Sequence, residues 1–132
     1  MPSPLLVVAL TGVLLAPIAS VRAASGSPRG VHPGHRGEVR GEVVEVGCYL
    51  REGSRGEAHK TCARASLENG GQLGIVEDGT GVLYPLSGAQ PATDPSAGFR
   101  EQIGAHVSVR GRIYERAGSR VLVAEKTVRI GR

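Results

Sequence analysis

Apolar and polar residues alternate most regularly near the C-terminus. Between Ala105 and Tyr114, the residues Val107, Val109 and Ile113 fall on one face, and Ser108, Arg110, Arg112 and Tyr114 on the other. A period of two is that of a half-buried strand. A second strand is predicted from Arg120 to Ile130, joined to the first by Arg116-Ala117-Gly118-Ser119. Earlier in the chain, Val39 to Val46 is rich in β-branched residues and reads as a strand. Gly41 breaks its alternation and marks a bulge or a sharp bend. The runs 72–76 and 81–84 flank Glu77-Asp78-Gly79-Thr80, a hairpin turned by Asp78-Gly79.

The helical signals are shorter. From Glu57 to Leu67, Ala58, Thr61, Cys62 and Ala65 recur at spacings of three and four, and Asn69-Gly70-Gly71 ends the run. Thr93-Asp94-Pro95 opens a helical turn, with Asp94 as cap, Pro95 in the first position, and Phe99 and Ile103 on one face. The resulting order is strand, helix, hairpin, helical turn, strand, strand. Five strands with a helical element between the third and fourth is the order of an OB-fold barrel. The expectation is therefore a mainly β chain: a small OB-fold-like five-stranded barrel with a short helix inserted between strands 1 and 2. A small open β-sandwich is the alternative.

Outside this region the pattern differs. Leu5 to Ile18 is apolar except at Thr11, Gly12 and Pro17. It is too short to span a bilayer, which takes about 20 apolar residues. It leads into Val21-Arg22-Ala23, a small-residue cleavage pattern, so residues 1–23 read as a signal peptide removed after Ala23. Residues 24–37 are rich in Gly, Pro and Ser and read as a flexible tether, with His32 and His35 inside it. Residues 38–132 are the OB-like domain. The expected location is exported, periplasmic or extracellular, with nothing spanning the membrane after cleavage.

The chain carries 16 basic and 12 acidic residues, a formal charge of +4 at pH 7. Such a mild excess is ordinary solubility chemistry, with an anionic ligand or an envelope protein as a further possibility. Arg110, Arg112, Tyr114, Arg116 and Arg120 form the candidate anion or partner surface on the last hairpin. Oligonucleotide binding, which an OB-fold invites, is poorly supported. Single-strand binders stack bases on several aromatics, and this chain has three Tyr, one Phe and no Trp.

Candidate chemistry gathers at Cys48, His59 and Cys62, the two cysteines and one of the four histidines. His59 and Cys62 are three apart, hence on one helix face. Cys48, placed at the end of the first strand, can meet them across a Gly-rich loop. Two readings stand open. An exported domain with an even cysteine count oxidises readily, and a Cys48–Cys62 bridge would also pin that loop. Closing a loop of about 15 residues contributes about 3 kcal/mol on the chain-entropy model. Alternatively, two thiolates and an imidazole suit copper(I) or zinc. No Gly-x-Ser-x-Gly, His-Glu-x-x-His or phosphate loop occurs, and no Cys-x-x-Cys. His106 reads as an ordinary surface or core histidine. The chain is therefore expected to be a non-enzymatic binding module of the cell envelope, or a disulfide-stapled interaction domain with a basic hairpin.

The residues Gly41, Cys48, Gly53, Gly56, His59, Cys62 and Ala63 resemble a pattern in small secreted bacterial proteins of unknown function. In these a short strand, a Cys, a Gly-rich loop and a helix with His-x-x-Cys-Ala follow one another. The resemblance implies an exported OB-like fold and brings no activity. That family places a further Cys where this chain has Ser66.

Overall fold

The computed structural model describes residues 33–131. The expected signal peptide, most of the tether and His32 lie outside the described residues. Five strands form one antiparallel sheet: β1 (His35–Glu45), β2 (Leu73–Glu77), β3 (Leu83–Pro85), β4 (His106–Arg116) and β5 (Ser119–Arg129). Their spatial order is β3-β2-β1-β4-β5. The sheet curls until its two ends meet. Leu86, just past β3, bridges Leu122 of β5 in parallel, and the Ser87 N–H donates to the Leu122 carbonyl at 2.9 Å. This is the expected small OB-fold-like barrel. Between β1 and β2 lie α1 (Val46–Glu52), a short 3-10 turn (Glu57–His59) and α2 (Lys60–Glu68). No helix among the described residues is long and apolar enough to cross a membrane.

β1 makes the curl possible. Its residues His35 to Glu42 pair with β4, and Gly41 to Glu45 pair with β2. Gly41 belongs to both pairings, where β1 passes from one partner to the other. A Cβ there would stand 2.0 Å from the Val76 carbonyl oxygen, so only glycine lets the strands approach this closely. Gly111 plays the same part in β4, with the Val123 carbonyl at 2.0 Å from its virtual Cβ, beside the bulge that skips Glu125. The strand begins three residues before the expected domain boundary. His35 to Gly37 belong to β1, because their backbone pairs with Gly111 to Ile113.

The barrel interior holds Val39, Val43, Leu73, Ile75, Leu86, Val107, Val109, Ile113 and Leu122, with Phe99 and Ile103 from the β3–β4 connection. The three β4 residues expected inside are buried there. Asp94 accepts from the Ser96 N–H at 2.8 Å, as a cap should, and the turn it opens delivers Phe99 and Ile103 to the core. α2 adds Ala63 and Leu67 to the same cluster. The face expected from Ala58, Thr61, Cys62 and Ala65 is exposed instead. Small, weakly apolar residues surround this helix on most sides, and only the reach of Leu67 decides which side packs.

Candidate metal site

The insert between β1 and β2 is held by two carboxylates buried at the end of β1, Glu42 and Glu45. Glu45 ends β1 and caps α1: its carboxylate accepts from the Cys48 N–H at 2.7 Å. It also accepts from the Gln72 N–H at 3.4 Å, which ties α1 to the entry of β2. Gly53, at φ 68°, closes α1 by donating its N–H to the Tyr49 carbonyl. Cys48 thus sits in the first turn of a helix, not at a strand end as expected. Val46 and Gly47 are poor helix formers and conceal this helix from a propensity reading; the capping carboxylate and the terminal glycine are its signals.

Glu42, also buried, accepts from the Gly56 N–H and pairs with Arg55 at 3.1 Å. Behind the loop, Gly104 lies so close to Gly56 that a Cβ would meet its carbonyl carbon at 2.6 Å. The Gly-rich loop is therefore fixed by a buried carboxylate and a backbone contact. It does not need the cysteine bridge that the sequence suggested as its pin. From Gly56 the chain enters the 3-10 turn and α2, which brings His59 and Cys62 back toward Cys48.

The three predicted side chains do converge. One ligand atom from each of Cys48, His59 and Cys62 lies within 4.8 Å of the other two. Cys48 is buried and Cys62 exposed, and both are free thiols. His59 is half-buried, and its Nε2 is fully buried without a hydrogen-bond partner. A buried ring nitrogen without a partner is costly, and a bound cation is one way to satisfy it. The Glu45 carboxylate against the Cys48 thiol, together with burial and the neighbouring Cys62, pushes that thiol up to about 11. Glu45 itself moves the other way. Burial raises its carboxyl, but the hydrogen bonds from Cys48, Gly47 and Gln72 outweigh that and leave it below its ordinary value of 4.5.

Because the folded carboxyl titrates below the unfolded one, its contribution to stability is complete above the ordinary carboxylate range. It is lost as pH falls through the lower, folded value. Glu45→Gln should therefore lower stability at pH 7 by about 1–2 kcal/mol, the usual scale of a lost helix cap. Urea unfolding should show the gap to wild type narrowing below about pH 4. A gap that stays constant with pH would remove Glu45 from this role.

The arginine surface is arranged differently from its sequence outline. Arg110 pairs with Glu38 at 2.7 Å, Arg112 with Glu125 at 3.7 Å and Arg120 with Glu115 at 3.7 Å. Arg120 also lies over the Tyr84 ring. Arg116 makes no ion pair among the described residues. Tyr114 backs onto Gly34, whose virtual Cβ would meet its ring at 2.8 Å. Most of the positive stripe is thus neutralised by carboxylates on the same sheet, and an anionic partner would have to displace them. His106 lies between Asp78, at 3.2 Å, and Glu42, at 4.0 Å. It is half-buried.

A β-barrel with a capped helical insert carrying a cysteine–histidine cluster is the class that this fold and site define. No protein-family model, curated protein or solved structure matches the chain.

Proposed function

We propose that the protein is an exported, non-enzymatic binding module that holds one soft metal ion, copper(I) or zinc, on Cys48, His59 and Cys62. The observation that carries this reading is the convergence of two sulfurs and an imidazole within 4.8 Å, with the buried His59 Nε2 left unpartnered. Thiolate and imidazole are the donors such ions prefer, and three protein ligands leave one position open for exchange. The barrel supplies the rigid support: Glu45 and Glu42 fix the backbone on which the ligands stand. Export is supported by the apolar run Leu5–Ile18 and the cleavage pattern ending at Ala23. The resemblance to small secreted bacterial proteins agrees with it. A disulfide-stapled interaction domain is the second reading, favoured by the closeness of the same two sulfurs.

The test is a metal titration of the protein exported from its full-length chain, purified without a polyhistidine tag and kept reduced. One equivalent of copper(I) or zinc should bind in competition with a chromophoric chelator, and both thiols should become unreactive while it is bound. Two freely reactive thiols in the presence of excess metal would defeat the metal reading.

A further inference from the structure

The two sulfurs assigned to the metal lie within 4.8 Å of each other, and they differ sharply in access. Cys48 is 4% exposed, beneath the Glu45 cap, whereas Cys62 faces solvent on the first turns of α2. We infer that metal binding and a Cys48–Cys62 disulfide are mutually exclusive states of one site, and that oxidation entering at Cys62 expels the metal. This inference rests on the metal reading above and adds its regulation.

A sulfur ligates the metal as a thiolate, and oxidation into a disulfide removes that thiolate. The oxidant is an external disulfide, small or on a protein. The exposed Cys62 sulfur attacks it as the thiolate. One bond forms between Cys62 and the external sulfur, the external S–S bond breaks, and one external thiolate leaves. Cys48 then attacks the Cys62 sulfur of this mixed disulfide. The Cys48–Cys62 bond forms and the second external thiolate leaves. Two electrons pass from the cysteine pair to the external disulfide. The two protons, or the metal charge that replaced them, are released to solvent. The order follows from access, because an external disulfide reaches Cys62 directly and reaches Cys48 only through it.

After the bridge closes, His59 is the one remaining ligand of the three. A single imidazole does not hold copper(I) or zinc against a chelator. The surrounding fold has little reason to change. Glu42 and Gly104 hold the loop, and Glu45 holds the Cys48 backbone, whichever state the sulfurs are in. The site therefore reads as a local exchange, one metal for one bond, carried on a backbone anchored independently of both. A bound metal should also protect the thiols, since both thiolates are then engaged.

The experiment uses the reduced, full-chain protein, loaded with one equivalent of zinc and then treated with oxidised glutathione. Zinc release is read with a chromophoric indicator, thiols with a thiol reagent, and covalent state by intact mass. The expected result is release of the zinc in step with loss of both thiols, giving a monomer two hydrogens lighter and carrying no glutathione. Thiol reductant should restore one zinc equivalent. Zinc-free protein should oxidise at least tenfold faster than loaded protein. Cys48→Ser should stall as a stable glutathione adduct on Cys62, whereas Cys62→Ser should resist modification of its buried thiol.

Retention of zinc after both thiols are lost would overturn the inference. So would a wild-type product that remains glutathionylated, or one that links two chains. These failures are distinct from failure of the metal reading itself, in which the reduced protein takes up no zinc before any oxidant is added.

Discussion

One equivalent of copper(I) or zinc should raise the thermal midpoint of the reduced protein, and His59→Ala should abolish that rise. A ligand that binds only the folded state stabilises it by about 2.7 kcal/mol when present at one hundred times its dissociation constant. For a domain of about 100 residues, each kcal/mol moves the midpoint by about 4–8 °C, so the metal should add roughly 10–20 °C. Removing any one of three ligands leaves two, and affinity should fall by at least about a hundredfold. The apo-protein effects of the three variants differ, which keeps a lost ligand separate from a damaged fold. Cys62 is exposed, so Cys62→Ser should alter apo stability by no more than about 0.5 kcal/mol. Cys48 is buried beside Glu45, so Cys48→Ser places a hydroxyl there and should cost about 1–2 kcal/mol. His59→Ala removes a buried nitrogen that has no partner and should leave the apo fold nearly as stable as wild type. Binding also displaces protons from the thiols, so affinity should fall as pH is lowered. An equal thermal shift in wild type and His59→Ala would place the metal elsewhere.

Gly41→Ala should destabilise the domain by at least about 3 kcal/mol, the upper end of what overpacking costs. The added methyl would sit 2.0 Å from the Val76 carbonyl oxygen and 2.7 Å from its carbon. Both atoms belong to backbone, which cannot rotate aside as a side chain can. Relief requires β1 and β2 to separate at the point where β1 leaves one partner for the other. Since small domains hold only about 5–15 kcal/mol in total, much of the stability is at stake. Gly98→Ala is the control: nothing lies within 4 Å of its virtual Cβ, and its change should stay within about 0.5 kcal/mol. Thermal or urea unfolding of both variants gives the comparison. A Gly41→Ala loss no larger than that of Gly98→Ala would mean that the strands do not cross as closely as described.

The division between sequence and tertiary structure runs along a physical line. Patterns created by a strand's own geometry were legible in the chain. The alternation of β4 placed Val107, Val109 and Ile113 in the core, and Asp78-Gly79 marked the turn between β2 and β3, where Gly79 adopts φ 80°. Gly41 stood out in the strand pattern, and it lies where β1 passes from β4 to β2. Cys48, His59 and Cys62 stood out by rarity and by the spacing of His59 and Cys62, and they do meet. What the chain could not disclose was burial created by distant segments. Glu42 and Glu45, three apart in β1, fall on opposite faces of the strand, and their charge gives no sign of burial. They are buried because the insert folds back over them and supplies N–H donors from Cys48, Gly56 and Gln72. The helix α1 depends on one of those same carboxylates, so its start was as hidden as the cap. The packed side of α2 was decided by where the barrel offers room for Ala63 and Leu67, not by any period in its small residues. On the last hairpin, the arginines were legible as charges, but their neutralisation was not. Glu38 of β1 stands opposite Arg110 by strand register, whereas Glu125 is the unpaired residue at the β4–β5 bulge and reaches Arg112 from there.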